Sequence, residues 1–146
     1  MTNFPMQQSG KRLILASGSA VRSRLLRDAG LTFDMQPADV DEAAIRQALD
    51  ISDADMEPGD VAEILARAKA ETISAAHPDA LVIGADQVLC FENKIFEKSP
   101  DFETARETLL TLRGGTHRLI SAVCLAEKGN TFWHFVDQAE LTMRPM

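Results

Sequence analysis

The sequence predicts an α/β domain in which helices flank a mixed, twisted β-sheet. Two short apolar runs, residues 12–16 and 80–85, are continuous enough to be strands buried on both faces. Stretches in which apolar residues recur at helical spacing follow each of these runs. Two long segments near the C-terminus, residues 118–125 and 131–142, flank a short turn and indicate a hairpin. Helices that alternate with buried strands, together with hairpins, are typical of a mixed sheet.

Composition limits the class of protein and its partners. A chain of 146 residues with 45% hydrophobic content can bury one core, so we expect a single domain over residues 11–146 after a flexible N-terminus, residues 1–10. The net charge of -7 argues against binding to nucleic acid polymers or to anionic membranes. The two cysteines are far apart in sequence, which favours free thiols and a cytoplasmic location. No apolar run is long enough to span a bilayer.

The first strand leads directly into a helix. Ser19 is a good N-cap and Gly30 a good residue just beyond the C-terminus of that helix. Leu25 and Leu26 would lie on its apolar side. Residues 32–40 read as extended chain.

The middle of the chain predicts a long helix and a hairpin around the second buried strand. Residues 47–58 are acidic and weakly patterned, which indicates a surface loop or a short extra helix. Residues 59–76 keep helical spacing, and residues 80–91 form the strand region that follows. A turn at residues 92–93 would bring residues 94–96 back against this strand.

A third helix is predicted before the C-terminal hairpin. Ser99 would cap it, Pro100 would occupy its first position, and the glycines at 114–115 would end it. Its inward face should carry four apolar residues, Phe102, Ala105, Leu109 and Leu112.

The turn after the first strand is a candidate anion site. Unpaired backbone N–H groups and the helix dipole favour a negative ligand at a helix N-terminus. Ser17 and Ser19 carry hydroxyls that can donate to phosphate oxygens, and Arg22 can bind a phosphate through two N–H groups. An ordinary serine cap followed by a solvated arginine is the alternative.

Carboxylates and lysines elsewhere could complete a metal–phosphate site. Asp86 ends a buried apolar run, where an unpaired charge is costly and a cation or metal would offset it. Asp41 and Glu42 form an acidic pair, while Lys69 and Lys98 could bind phosphates. Each of these residues alone is more typical of a turn or a solvated surface. The three histidines show no metal-ligand spacing, and no P-loop or dinucleotide-binding motif is present.

Six segments, taken in order and approximate spacing, resemble the motifs of the Maf family. The family patterns are LASxSPxR, an acidic loop, LAxxKA, GAD[TQ], GKP and LSGxTH. The matching segments here are LILASGSAVR at 13–22, ADVDE at 38–42, ARAKA at 66–70, VIGADQ at 82–87, FEKSP at 96–100 and LRGGTH at 112–117.

This resemblance implies an ITPase-like (Maf/Ham1) fold, often dimeric, and a Mg²⁺- or Mn²⁺-dependent nucleoside triphosphate pyrophosphatase. The implied catalytic residues are Asp86, Lys98 and Lys69. The implied phosphate ligands are Ser17, Ser19 and Arg22, and the implied metal ligands are Asp86 and Asp41.

Two positions imply a subfamily. Val21 and Gln87 stand where the subfamily associated with dTTP and UTP has Arg and Thr, so the chain resembles the GADQ-type subfamily that acts on 7-methyl-GTP. Family members continue through a GAYxxQG-type segment, so we expect the C-terminal part to be missing. The alternatives are a non-catalytic nucleotide-binding or cell-division regulatory protein and an inactive truncated remnant.

Overall fold

A computed structural model describes residues 10–52, 56–96 and 98–145, with backbone alone at 50–52. The predicted flexible N-terminus therefore lies outside the described residues except at Gly10. The helices are α1 (Ala20–Asp28), α2 (Glu42–Ser52), α3 (Pro58–Ala76) and α4 (Phe102–Leu112). The strands are β1 (Arg12–Leu15), β2 (Asp34–Met35), β3 (Ala80–Phe91), β4 (Lys94–Phe96), β5 (Thr116–Glu127) and β6 (Asn130–Thr142).

The strands form one mixed sheet, which confirms the predicted fold class. Its order is β2-β1-β3-β5-β6, with β4 paired to β3 outside this path. The first three strands run parallel, whereas β3, β5 and β6 form an antiparallel meander. No helix within the described part of the chain has the length and apolar character needed to cross a membrane.

One edge of β3 contains a notch. β1 pairs with β3 as far as Ile83, and β4 begins to pair with β3 at Leu89. Both lie on the edge of β3 that faces away from β5. No described strand pairs with residues 84–88 on that edge, so this stretch of β3 lies between the ends of β1 and β4 without a strand partner on that side.

Helix α3 covers one face of the sheet at very short range. A methyl group placed on Gly84 would lie 2.3 Å from the carbonyl oxygen of Ala66 and 2.7 Å from the Cβ of Ala70. Glycine therefore sets how closely α3 can approach β3. The main core lies between them, and Ile14, Leu65 and Val82 are among its fully buried members.

The opposite face is covered less completely. Leu26 of α1 packs on a smaller cluster formed by Leu13, Leu15 and Ile83. Leu25, which was also predicted on the apolar side of α1, is 64% exposed. Prediction and structure agree at the helix ends, because Ser19 Oγ accepts from the Arg22 N–H at 3.2 Å and Gly30 has φ +91°.

Two segments before α3 differ from the sequence prediction. Only Asp34–Met35 of the predicted extended stretch 32–40 forms a strand. Residues 42–52 are helical, which agrees with the short-helix alternative for residues 47–58 in type but not in position, since the helix begins at Glu42. Packing decides this segment, since Ile45 and Leu49 contact the main core.

The prediction for α4 was partly wrong. Asp101, not Ser99, caps the helix, because its carboxylate accepts from the Thr104 N–H at 2.7 Å and an ionised acceptor is the stronger one. The helix begins at Phe102, so Pro100 precedes it. Phe102 is 83% exposed and Leu109 is 49% exposed. The face turned inward instead carries Thr104, Ala105, Thr108 and Leu112.

Candidate active site in the notch of the sheet

Lys69 joins two carboxylates above the notch. Its Nζ lies 3.1 Å from Asp86 Oδ1 and 2.6 Å from Glu42 Oε1. A weaker contact of 3.5 Å reaches the carbonyl oxygen of Ala85. The Lys69 side chain is 14% exposed and that of Asp86 is 7% exposed, so this ion pair is largely removed from solvent.

Asp86 has unused capacity to bind a cation. Its Oδ2 is buried and has no hydrogen-bond partner among the described residues. Burial raises the pKa of this carboxyl above its usual value of 3.8, and the neighbouring Lys69 offsets part of that effect. A buried carboxylate oxygen without a partner is costly, and sites of this kind occur where a ligand or cation binds.

Glu42 joins the candidate site, although the sequence prediction assigned a metal-binding role only to its neighbour Asp41. It is the first residue of α2, and packing of α2 against α3 brings it to Lys69. Asp41, the predicted metal ligand, is exposed, and its Oδ1 accepts from the Ala44 N–H at 3.0 Å as a helix cap. The cap preference of aspartate is the signal that could have shown that Asp41 and Glu42 have different roles.

The predicted phosphate-binding residues meet in one turn. The Oγ of Ser17 accepts from the Ser19 backbone N–H at 3.1 Å and from Arg22 Nη1 at 3.3 Å. Ser17 is 7% exposed, whereas Ser19 and Arg22 are half-buried. These bonds pre-position the guanidinium over the N-terminus of α1, where backbone N–H groups favour an anion.

Chain topology brings this turn and Asp86 to the same notch. Ser17 follows β1, whose pairing ends where the Ala16 N–H donates to the Ile83 carbonyl at 2.8 Å. Asp86 lies three residues beyond Ile83 on the neighbouring strand. Lys98 is exposed and follows β4, which runs antiparallel to β3 and so returns the chain toward Asp86.

Gln87 and Val21 lie apart from the Lys69 ion pair. Alternate residues of a strand point to opposite faces, so Gln87 lies on the face opposite Asp86 and α3. Its Nε2 donates to the Ser121 Oγ at 3.1 Å, and both side chains are exposed. Val21 is 69% exposed on α1.

The donor set suits a hard divalent cation that also binds phosphate oxygens. No group of three histidine, cysteine or carboxylate side chains converges within the described ranges. Mg²⁺ is usually held by one or two carboxylates and completed by water and substrate phosphates, so a complete protein cage is not needed. The two candidate carboxylates here are those of Asp86 and Glu42, which flank Lys69.

Comparison with known proteins first defines the fold class. The chain is similar to a HAM1 protein from Coxiella burnetii, with a TM-score of 0.55 and 13% identity over 90% of this chain and 71% of that one. The ITPase-like architecture is thereby confirmed at the level of fold.

The family follows from the sequence. The protein-family model described as Maf-like protein matches residues 12–146, and the chain belongs to this family. A 7-methyl-GTP pyrophosphatase of Rhizobium etli is 45% identical over 92% of this chain and 67% of its own length. A nucleoside triphosphate pyrophosphatase of Paramagnetospirillum magneticum is 48% identical over 90% of this chain and 66% of its own length. The chain thus spans about two thirds of the length of these curated relatives.

Proposed function

We propose that this protein hydrolyses nucleoside triphosphates to nucleoside monophosphates and pyrophosphate, and that 7-methyl-GTP is its preferred substrate. The observation that carries the proposal is the buried ion pair of Lys69 and Asp86, on the strand next to the one that Ser17 follows. Related chains at 45–48% identity are named for these two activities.

The basic and hydroxyl groups around the notch suit the substrate's phosphates. Ser17, Ser19 and Arg22 would bind phosphate oxygens at the N-terminus of α1. Lys98 would approach from the side of β4. Lys69 would hold Asp86 in place, because its ammonium donates to Asp86 Oδ1.

In the proposed reaction, water adds to the α-phosphorus. The bond from that phosphorus to the oxygen bridging the α- and β-phosphates breaks, and pyrophosphate leaves with the bonding electron pair. Two roles suit Asp86 Oδ2, which is buried and unpartnered. It can accept the proton of the attacking water, or it can hold a divalent cation together with Glu42. A cation bound there would polarise the phosphate oxygens and neutralise part of their charge.

A substrate panel tests the activity. Pyrophosphate release would be measured with 7-methyl-GTP, GTP, dTTP and UTP in the presence of Mg²⁺ or Mn²⁺. We expect turnover that a chelator removes and that is fastest with 7-methyl-GTP. Folded protein that binds these nucleotides but cleaves none would support the regulatory alternative instead.

Measuring metal binding tests whether Asp86 is a metal ligand or a general base, and whether Glu42 or Asp41 is the second ligand. Mn²⁺ binding to the protein without nucleotide would be followed by electron paramagnetic resonance. If Asp86 and Glu42 are ligands, D86N and E42Q should each weaken binding by about tenfold. D41N is the matched control, since asparagine still caps α2. Weaker Mn²⁺ binding in D41N alone would restore Asp41 as the ligand. The cytoplasmic location and a homodimer stay predictions.

A further inference from the structure

We propose that the sheet face opposite α3 carries the base-binding surface of this enzyme, formed by Gln87, Ser121, Phe135 and Asp137. The proposal rests on the pyrophosphatase activity inferred above and adds which residues select the base. Its occupant is a guanine-type base, with 7-methylguanine preferred.

Strand register places three polar side chains in one row. Gln87 pairs with Ser121, and Ser121 pairs with Asp137. Residues paired across neighbouring strands share a face, so these three side chains lie side by side. All three are exposed.

The next rows supply aromatic surface. Val123 pairs with Phe135, and Leu125 pairs with Trp133. The two aromatic rings stack with centroids 6.3 Å apart and an interplanar angle of 13°. Phe135 remains 54% exposed, so one side of an aromatic pair is available beside a row of hydrogen-bonding groups.

This surface continues from the phosphate-binding turn. Leu26 of α1 packs in the same cluster as Val123 and Leu125, so α1 lies on the face that carries Phe135. The turn at Ser17 precedes α1, and β1 is separated from β6 by three strand spacings, about 14 Å in all. That separation is comparable with the length of an extended nucleoside triphosphate, so phosphates at the turn place the base near this row.

The chemistry of the row matches the edge of guanine. Gln87 donates to the oxygen of Ser121, which leaves the Ser121 O–H free to donate to O6 of the base. Oδ1 of Asp137 accepts from the neighbouring Gln138 N–H at 2.8 Å. Because a carboxylate offers about four acceptor positions, Asp137 can also accept from N1–H and from the amino group at position 2 of the base. Methylation at N7 gives the base a positive charge, which favours both the carboxylate and the face of Phe135.

Two measurements test this assignment on the whole chain. The first is the ratio of kcat/KM for 7-methyl-GTP to that for UTP, in the wild type and in D137N. We expect D137N to lower the ratio by tenfold or more. E140Q is the matched control, because Glu140 is an exposed carboxylate of the same strand on the opposite face, and it should leave the ratio within twofold.

The second measurement is independent of turnover. Trp133 is the only tryptophan of the chain, so its fluorescence reports on this face alone. Titration with 7-methylguanosine, which has no phosphates, should quench it in the wild type and in E140Q, with at least tenfold weaker binding in D137N and F135A. Quenching without any triphosphate cleavage would keep the base-binding surface and reject the pyrophosphatase proposal. Cleavage with a ratio unchanged in D137N, or no quenching by 7-methylguanosine, would overturn the surface.

Discussion

The two faces of the sheet differ in how they are covered, and the difference separates the parts of the molecule that hold the fold from those open to a ligand. On the first face, α3 approaches β3 so closely that Gly84 has no room for a methyl group. On the second face, α1 covers β1 and part of β3, while Trp133 and Phe135 of β6 remain 46% and 54% exposed.

The proposed site uses both faces because it lies at the notch between them. The first face supplies Lys69 and Asp86, whose positions are set by tightly packed neighbours. Rigid placement of this kind is what a reacting centre requires. The second face supplies the N-terminus of α1 and the exposed row at Gln87, which we propose binds the base away from the main core.

The largest expected effect is on turnover and comes from the first face. D86N keeps the size of the side chain and removes the carboxylate at the notch. We expect kcat to fall on the order of 10³-fold, as is typical when a general base or a principal metal ligand is lost. Steady-state pyrophosphate release measures this, with circular dichroism to show that the fold is retained. Wild-type rates in D86N would exclude Asp86 from the mechanism.

The next largest effect tests the close packing of that face. G84A places a methyl group 2.3 Å from the Ala66 carbonyl oxygen and forces α3 away from the sheet. We expect a loss of about 3 kcal/mol in the free energy of unfolding, measured by denaturant titration. G18A is the control, because its Cβ would meet only Pro37 at 3.4 Å. Equal stability of the two variants would show that α3 can shift freely and is not tightly packed.

Sequence reasoning predicted best those parts that depend on local signals. Continuous apolar runs indicated β1 and β3, and a serine and a glycine marked the two ends of α1. The turn from Ser17 to Arg22 was also accessible, because it combines a strand end, a helix start and hydroxyl groups within a short segment.

The parts that were wrong or incomplete depend on tertiary contacts. The exposure of Phe102 and the role of Glu42 at Lys69 are set by which elements pack together, and no local pattern encodes that. The cap of α4 was misplaced because Ser99 and Asp101 are both good caps, and the choice between them depends on where the helix lies. Successive side chains of β3 point to opposite faces of the sheet, so Asp86 and Gln87 have different surroundings although they are adjacent in one motif.

A smaller effect follows from the raised pKa of Asp86. Burial, the main cause, makes the folded protein hold the Asp86 proton more tightly than the unfolded chain does, so ionisation costs stability. That cost is absent below pH 3.8 and is complete once the pH has passed the raised pKa. With chelator present, the free energy of unfolding of D86N relative to that of the wild type should therefore be more favourable at pH 7 than at pH 3, whatever D86N loses by giving up the Lys69 ion pair. An equal difference between the two proteins at both pH values would assign the effect of D86N to packing and not to charge.

The smallest effect concerns α4, whose outer side is as open as the second face of the sheet. Phe102 is 83% exposed at the first turn of this helix, so F102S should change the free energy of unfolding by less than about 0.5 kcal/mol. L112A on the same helix is the control, since Leu112 is 3% exposed and its truncation should cost about 2–5 kcal/mol. Thermal unfolding at several protein concentrations would accompany both variants. F102S could instead lose nearly as much stability as L112A, with a wild-type melting temperature that rises with protein concentration. That outcome would mean that a second copy of the chain covers Phe102, because a side chain that is exposed in the monomer contributes stability only when something buries it.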